Sequence, residues 1–340
     1  MRILQTPLEV AGQAGLTARS LRELGQESKA FFLPHPFGYS DSSDYRVSNF
    51  GPLGKIQRVL FAPYAALHFD VLHFHNGTSL IPKFHYIDAR LAVKAGNKVV
   101  VEFWGSDARM PSIETARNPF YFPTGRENDD TAIDRMSKWA EVTKGHVIVS
   151  DHFADEFLCK YFSSIHVVGQ RVDVESIQVK PLSLDSKRRV ILHAPSDEKV
   201  KGTETIRAAV KDLQKRGHPI DYVELNGVPA SEVAGWIQKA DLVIDQIRLG
   251  THGLFALEAM AAAKPVICYL APYWKPPFGE RPPIISANPD NLVSVIENSM
   301  SDFRKLRACG LESRKYVETH HNLQAVGQRL LMAYSQLPTE

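Results

Sequence analysis

Three groups of residues in the second half of the chain have the types and spacing of an anion-binding site. Lys201-Gly202-Thr203 stands at the predicted start of a helix, where a lysine adds a full positive charge to the helix dipole. Gly253 and Leu254 begin another predicted helix, so their amide groups can face a phosphate. Glu258 lies five positions after Gly253, where a carboxylate can accept hydrogen bonds from two neighbouring hydroxyls. By itself, the lysine motif favours a helix capped by Thr203 with a solvated Lys201 side chain.

A glycine loop in the first half offers a second place for an anion. Gly12 and Gly15 follow the first predicted strand and open a helix, and glycines let backbone amides approach a ligand closely. The loop lacks the full GxGxxG fingerprint, and the second predicted strand ends without an acidic residue for an adenosine ribose. The same loop also suits a plain turn.

Side chains at two strand ends in the first half could act on a sugar. His75 and Asp107 could handle a proton, and the Trp104 ring could stack on the C–H face of a sugar. His73 and His75 share one face of a strand, as two metal ligands would. Because no third ligand of suitable spacing is evident, we predict no metal site. His75 and Asp107 are also explained as caps of a strand and a turn.

Short apolar runs alternate with amphipathic segments along the whole chain, which indicates βαβ units and parallel sheets. In the first half the predicted strands are 3–6, 29–33, 71–74, 98–103, 146–149 and 166–168, and the helices are 15–24, 55–67, 79–95, 131–143 and 151–161. In the second half the strands are 190–193, 221–224, 242–245, 266–268 and 284–286, and the helices are 203–216, 231–239, 253–262, 291–300, 303–318 and 322–336. The pattern therefore predicts two doubly wound domains, with a ligand cleft between the carboxyl ends of their sheets.

The 340 residues are enough for two domains with a core each. Residues 170–189 have no clear period, so we predict an interdomain linker there. The first domain is then 1–169 and the second 190–320, and we expect the helix in 321–340 to pack back on the first domain.

The amino-acid composition limits the classes of molecule that the protein is expected to bind. The formal net charge of +2 lacks the basic excess of a nucleic-acid binder. The three cysteines are far apart and form no CxxC pair, which fits a reduced cytoplasm and no disulfide framework. No signal peptide is recognisable, and the apolar stretch 59–74 is too short to span a bilayer. It could lie against a membrane surface, but the pattern favours a buried helix followed by a strand. We expect a cytoplasmic protein that binds a small molecule or glycan, with peripheral contact at the inner membrane face through the first domain.

The segment 240–267 carries the most specific motif of the chain. An Asp241-initiated apolar strand is followed by Gly250, by Gly253, and by the run Glu258-Ala-Met-Ala ahead of Lys264-Pro-Val-Ile. This pattern resembles the donor-nucleotide motif of GT-B glycosyltransferases, in particular the retaining class called family 4. The resemblance covers nearly all of the second domain and includes Lys201-Gly202 and Asn226-Gly227-Val228-Pro229.

The resemblance implies two Rossmann-like doubly wound parallel-sheet domains that face a central cleft. It also implies a retaining, metal-independent hexosyltransferase-like enzyme without a cofactor, active in polysaccharide biosynthesis. Such an enzyme moves a sugar from a nucleoside-diphosphate donor to a hydroxyl of a glycan, a lipid-linked glycan or another acceptor. The implied donor-binding residues are Gly12, Gly15, His193, Lys201, Asn226, Val228, His252, Gly253, Leu254 and Glu258, with Glu258 on the ribose. The residues implied to face the sugar and acceptor are His75, Trp104 and Asp107.

Several positions depart from the family pattern. Gly250 stands where many members have a glutamate, and Trp104 replaces the histidine of an H-G-x-D motif although it cannot accept a proton. The family usually pairs the lysine with an upstream arginine, where this chain has Pro195 and Ser196, and Ala263 stands where the family usually has glycine. Two alternatives therefore stay open. One is a non-catalytic partner subunit that binds a nucleotide or glycan, and the other is a nucleotide-sugar epimerase or hydrolase.

Overall fold

The structure is a computed structural model that describes residues 1–33, 43–45, 51–125, 127–151, 155–185 and 187–339. The chain divides into two compact units. The first unit consists of Met1–Met110, Arg126–Arg171 and Leu323–Glu340, and the second consists of Pro111–Gly125 and Val172–Asn322. Each unit is built on one parallel sheet with helices packed against it, so the predicted α/β class with two doubly wound domains is confirmed.

The first unit has a six-stranded sheet in the order β2-β1-β3-β4-β5-β6. The strands are β1 (Arg2–Thr6), β2 (Glu27–Ala30), β3 (Val71–His75), β4 (Lys98–Phe103), β5 (His146–Val149) and β6 (Ser164–Val167). All recorded pairings are parallel, with Ile3 of β1 opposite Val71 of β3. The inner strands are almost wholly buried, as expected for a parallel sheet that is covered on both faces.

The second unit has a five-stranded parallel sheet in the order β11-β10-β9-β7-β8. The strands are β7 (Arg189–His193), β8 (Ile220–Glu224), β9 (Leu242–Ile244), β10 (Val266–Cys268) and β11 (Ile285–Ser286). In each sheet the first and third strands of the series are neighbours. Ligands of open α/β sheets bind outside the carboxyl ends of the strands at such a point of reversal, here β1/β3 in the first unit and β7/β9 in the second.

Thirteen α-helices are described in chain order. They are α1 (Gln13–Glu23), α2 (Pro52–His68), α3 (Ile87–Lys94), α4 (Pro111–Arg117), α5 (Asp129–Val142), α6 (Asp155–Leu158), α7 (Glu198–Lys201), α8 (Thr203–Lys215), α9 (Ala230–Lys239), α10 (Leu254–Ala261), α11 (Leu292–Ser301), α12 (Phe303–His320) and α13 (Leu323–Gln336). Within the described residues, none of them combines the length and apolar character that crossing a bilayer requires.

The carboxy-terminal helix α13 completes the core of the first unit. Val326 and Leu330 of this helix pack in one apolar cluster with Ile3 and Val71 from the central strands. The Ser20 hydroxyl of α1 donates to the carbonyl of Leu323 over 2.6 Å. The core of the first unit therefore needs the last segment of the chain.

The structure differs from the sequence expectation in the lengths and positions of several helices. The expected helix 79–95 is a 3₁₀ turn (Pro82–Phe84) followed by α3, because His85 and Tyr86 adopt left-handed backbone conformations that no α-helix continues. Short helices α4 and α7 have no counterpart in the prediction, and α6 replaces the predicted helix 151–161, of which residues 152–154 lie outside the described residues.

The boundary between the two units also differs from the expected one. Residues 111–125 belong to the second unit, where Asn118 donates to the carbonyl of Arg248 over 2.7 Å. Much of the expected linker also packs in that unit, since Val172 and Val174 are buried in its core.

Candidate functional site

Lys201 is placed at the carboxyl end of the second sheet by a glycine. Gly202 follows it with φ +83°, and a Cβ there would lie 2.6 Å from Cγ1 of Ile247, just after β9. The Ile247 amide also donates to the carbonyl of Lys201 over 3.1 Å. Glycine therefore allows the α7–α8 turn to approach the end of β9 more closely than another residue would.

The Lys201 ammonium is held by two neighbouring side chains. It donates to Oδ1 of Asp245 over 3.0 Å and to Oε1 of Gln246 over 2.5 Å. The Asp245 side chain is 1% exposed and the Lys201 side chain 13%. Because an ammonium has three N–H donors, one donor of this partly exposed group remains for a ligand.

Asp245 also reaches the amino terminus of α10. Its Oδ2 accepts the amide N–H of Gly253, which caps that helix, over 2.8 Å. A Cβ on Gly253 would lie 3.0 Å from the same oxygen and 3.2 Å from Nζ of Lys201. The carboxylate therefore occupies a position where the helix dipole favours an anion, and it joins Lys201 to α10.

Glu258 lies further along α10 and differs from its neighbours in having no recorded partner. Among the described residues, no hydrogen bond or ion pair is found for this half-buried carboxylate. Burial, and secondly the charge of Asp245, raise the pKa of Glu258 to about 7. A carboxylate with a raised pKa and no structural partner is typical of a functional site.

His193 is buried at the end of β7 and links three elements. Its Nδ1 donates to the carbonyl of Ile244 over 2.8 Å, and its Nε2 accepts the Thr203 hydroxyl over 2.9 Å. Burial lowers the pKa of His193, so the ring is neutral. It therefore fixes the strand ends and the start of α8 around Lys201.

The remaining residues predicted to bind the donor lie around this core of the site. Asn226 is exposed and donates to Oε1 of Glu198 over 2.7 Å, and Val228 is half-buried. His252 is buried with its ring 5.8 Å from that of Trp274. Leu254 is the first residue of α10. The structure thus groups Lys201, Gly253, Leu254, Glu258 and His193 around Asp245, while Asn226 makes its own contact with α7.

Gly250 is a position where a side chain does not fit. Its φ is +79°, and a Cβ there would lie 2.8 Å from that of Ala271 and 3.1 Å from the Tyr273 hydroxyl. The absence of the glutamate that many family members have here therefore follows from the local packing.

The glycine loop of the first unit already holds an anion from the protein. Both oxygens of the Glu9 carboxylate accept amides at the start of α1, from Ala14 over 2.9 Å and from Gly15 over 2.7 Å. Gly12 caps the helix in a left-handed conformation with φ +81°. The amide of Gly15 is thus used by Glu9 in this structure.

A buried ion pair lies at the carboxyl end of the first sheet. Glu102 accepts two hydrogen bonds from Arg171, over 2.5 and 3.0 Å, and both side chains are fully buried. Burial would raise the pKa of Glu102, but the Arg171 charge and the neighbouring histidines hold it well below its ordinary value. Neither residue was singled out in the sequence, because the pair joins positions 69 apart.

His73 and His75 pack beside this ion pair. His73 Nε2 and His75 Nδ1 lie 3.3 and 3.4 Å from Oε2 of Glu102, and burial lowers the pKa of His75 to about 4. His75 Nε2 donates to the Gln5 side-chain oxygen over 2.9 Å. His75 is therefore wholly inside the protein, and a direct contact with substrate is not available to it in this structure.

The two histidines and Glu102 have ligand atoms within 4.8 Å of one another, so a third candidate metal ligand exists on the neighbouring strand. Two observations oppose a cation here. Arg171 already places a positive charge on both Glu102 oxygens, and the histidine rings stack with centroids 4.3 Å apart. Stacked, nearly parallel rings do not aim their in-plane lone pairs at one point. The two histidines therefore lie beside a buried ion pair whose Arg171 charge opposes a metal ion, and His73 Nε2 and His75 Nδ1 make no recorded hydrogen bond among the described residues.

Trp104 and Asp107 follow β4 beside this network. The Trp104 ring is half-buried, with the Arg171 guanidinium 5.1 Å from its centre and the His75 ring 6.0 Å away. The Asp107 carboxylate accepts the amides of Trp104 and Gly105 over 3.0 and 2.8 Å, and burial raises the pKa of Asp107. Asp107 thus shapes the turn that presents Trp104.

No family model and no curated protein matches this chain. Solved structures are similar to it. A sucrose-phosphate synthase from Thermosynechococcus elongatus has a TM-score of 0.66 at 15% identity, over 98% of each chain. Anabaena HepE in complex with UDP-glucose has a TM-score of 0.63 at 12% identity, over 98% of this chain and 99% of that one. A putative UDP-N-acetylglucosamine 2-epimerase from Listeria monocytogenes has a TM-score of 0.58 at 13% identity, over 98% and 95%. At these identities the likeness shows the fold, which is that of two Rossmann-like parallel-sheet domains of the GT-B type.

Proposed function

We propose that this chain is a glycosyltransferase that binds a nucleoside-diphosphate sugar on its second unit. The observation that carries the proposal is the grouping of Lys201, the α10 amino terminus and Glu258 at the carboxyl end of the sheet, where no described residue pairs with the Glu258 carboxylate. A lysine and a helix amino terminus suit a diphosphate, and a carboxylate suits the two hydroxyls of a ribose. The fold shared with a UDP-glucose complex supports the same assignment.

In the proposed reaction an acceptor hydroxyl oxygen forms a bond to the anomeric carbon of the sugar. The bond from that carbon to the diphosphate breaks with its electrons on the phosphate oxygen, and a nucleoside diphosphate and a proton leave. Lys201 and the Leu254 amide stabilise the charge that grows on the leaving group. Glu258 holds the ribose, and the segment from Asn226 to Pro229 borders the base.

For the acceptor side we propose a hydroxyl of a glycan or lipid-linked glycan. Trp104 stacks on the sugar ring, while Asp107 and the buried His75 hold Trp104 in its position. The resemblance in the donor motif supports transfer with retention and without a metal ion.

A second candidate is a nucleotide-sugar epimerase, favoured by the similarity to the putative Listeria epimerase. A third is a binding subunit without turnover, favoured by Trp104 and Gly250 at positions where the family pattern has reactive polar residues. Both candidates share the donor site and differ in what happens to the donor.

The test begins with binding. UDP-, GDP- and dTDP-linked sugars are added separately, and the melting temperature is measured, because a ligand selective for the native state raises it. We expect one donor class to stabilise the wild type and the control variants Lys211→Met and Glu204→Gln, which replace exposed residues of α8. Lys201→Met and Glu258→Gln should lose most of that stabilisation. If no nucleotide sugar stabilises the protein, the proposal is wrong.

Turnover of the stabilising donor then separates the candidates. Consumption that requires an acceptor supports the transferase. Isomerisation or hydrolysis without an acceptor supports the epimerase or hydrolase, and binding without consumption in any acceptor mixture supports the binding subunit.

A further inference from the structure

A tyrosine hydroxyl lies beside Gly250, in the loop of the second unit that joins β9 to α10. A Cβ built on Gly250 would lie 3.1 Å from the Tyr273 hydroxyl and 3.5 Å from the side-chain nitrogen of Asn118. Many members of the class that the donor motif resembles have a glutamate at this position. This chain therefore lacks a polar side chain at position 250, but two other segments bring polar atoms to the same place.

Tyr273 is held there by helix α4. Its hydroxyl donates to Oε2 of Glu114 over 3.2 Å, and the guanidinium of Arg117 lies 4.1 Å from the centre of its ring. Arg117 also donates to Oε1 of Glu114 over 2.6 Å, and the Glu114 side chain is only 3% exposed. Because both the ring and the hydroxyl of Tyr273 are engaged, the position of the hydroxyl beside Gly250 is fixed before a ligand binds.

The Tyr273 hydroxyl can still accept a hydrogen bond. A phenol has one O–H donor and an oxygen that accepts, and here the donor is directed at Glu114. Among the described residues, no donor to the phenol oxygen is recorded. Burial, and secondly the Glu114 charge, raise the pKa of Tyr273, so the phenol stays neutral. The carboxylate polarises the O–H bond, which makes the oxygen a better acceptor for a ligand hydroxyl.

The loop that contains Gly250 also bounds the proposed diphosphate site. It begins at Gln246, which accepts the Lys201 ammonium, and it ends at Gly253, which caps α10. The Ala271 amide donates to the carbonyl of Gly250 over 2.9 Å and holds the middle of the loop. In a nucleoside-diphosphate sugar, the sugar is attached to the phosphate farther from the nucleoside. A sugar on a diphosphate at the α10 amino terminus is therefore near this loop.

We propose that Tyr273 recognises the donor sugar by accepting a hydrogen bond from one of its hydroxyls, and that Glu114 positions Tyr273 for this contact. The inference rests on the proposed function and adds to it the residue that distinguishes one donor sugar from another. A site built to pair with a ligand hydroxyl rejects an analogue that lacks it, because its own polar group is then left unpaired. Gly250 leaves the space for the Tyr273 hydroxyl that a larger residue would fill.

The test compares the affinity for a nucleotide with the affinity for its sugar ester, by isothermal titration calorimetry of the full chain. The probes are UDP and UDP-glucose, GDP and GDP-mannose, and dTDP and dTDP-glucose, and the pair whose nucleotide binds is used. Tyr273→Phe keeps the ring that Arg117 covers. We expect it to bind the nucleotide like the wild type and the nucleotide sugar about fivefold more weakly. Glu114→Gln should also weaken only the nucleotide sugar, by about twofold or more.

The matched control is Tyr222→Phe, which removes a hydroxyl that donates to Glu224 over 2.9 Å in the same unit. Both affinities of this variant should equal those of the wild type, and circular dichroism checks that every variant is folded. The proposal is overturned if Tyr273→Phe binds the nucleotide sugar like the wild type. It is also overturned if both affinities of Tyr273→Phe fall by the same factor, as loosened packing would cause. If no nucleotide binds the wild type, the proposed function fails and the role of Tyr273 fails with it.

Discussion

The Lys201 ammonium and the Asp245 carboxylate lie 3.0 Å apart, and the same carboxylate accepts the Gly253 amide over 2.8 Å. The pair joins positions 44 apart in the chain. Asp245 therefore neutralises both cationic features of the site, the lysine and the helix amino terminus. A diphosphate that binds here therefore meets the negative charge of the Asp245 carboxylate.

We predict that Asp245→Asn tightens the binding of the nucleotide sugar. The amide oxygen of asparagine can still accept the Gly253 amide, while the charge that repels a phosphate is removed. The expected gain in affinity is roughly tenfold at low salt, measured by isothermal titration calorimetry. Asp221→Asn, which removes an exposed carboxylate paired with Arg188, should leave affinity unchanged. Weaker binding by Asp245→Asn would mean that the carboxylate supports the ligand.

Donor binding should depend on pH through Glu258. The pKa of this group is raised to about 7 by burial and by Asp245, and its charged form accepts hydrogen bonds from both ribose hydroxyls. We expect affinity for a nucleotide sugar, whose diphosphate diester does not titrate near neutrality, to rise between pH 6 and pH 8. Glu258→Gln should bind weakly with no such rise. A rise that persists in this variant would assign the titration to another group.

The same pKa predicts the pH dependence of stability. A carboxyl whose pKa is raised by folding opposes folding once it ionises, and this loss develops as pH increases from the unfolded value of 4.5 through about 7. Between pH 5 and pH 8 the wild type should therefore lose up to about 3 kcal/mol relative to Glu258→Gln. Urea denaturation of both proteins at the two pH values measures this difference, and equal pH profiles would contradict the assignment.

Packing of α12 against the end of α10 should not tolerate a methyl group. A Cβ on Gly310 would lie 3.1 Å from the carbonyl carbon of Ala263, and closer still to its oxygen. Gly310→Ala should therefore lower the free energy of unfolding by on the order of 2 kcal/mol. Gly235→Ala in α9, where the added Cβ meets nothing within 4 Å, should instead raise it by roughly 0.5–1 kcal/mol. Thermal denaturation of the two variants checks the opposite signs.

The Glu102–Arg171 pair should be costly to break. Arg171→Met leaves a fully buried carboxylate without its partner, which should lower the free energy of unfolding by about 3–5 kcal/mol. Adding Glu102→Gln should recover part of this loss. Arg188→Met removes one partner of an exposed pair with Asp221 and should cost less than about 1 kcal/mol. Similar losses for the buried and exposed variants, from urea denaturation, would contradict the burial of the pair.

The sheets and the second-unit motif could be predicted because their signals are local. Apolar runs mark the buried strands of a parallel sheet, and the order of strands and helices places Lys201 and Gly253 after strands of one sheet. Asp245 was visible as an acid at the end of an apolar strand, but its partners were not, since a long-range pair leaves no period in the sequence.

The helix α4 and the buried network of the first unit could not be predicted for related reasons. Glu114 of α4 accepts a hydrogen bond from the hydroxyl of Tyr273 over 3.2 Å. Because the two residues lie far apart in the sequence, no local pattern predicts this contact. Glu102 lies within an apolar strand, where a charged residue is unexpected unless its partner is known.

The start of α1 has a further consequence for ligands. Glu9 is tied to this helix by a short loop and occupies two amides of its first turn, those of Ala14 and Gly15. A dissolved phosphate would have to compete with an acid that never diffuses away, whose effective concentration is about millimolar or higher. Nucleotides supplied to crystals at lower concentrations should therefore not displace Glu9 from α1 and should bind at another site.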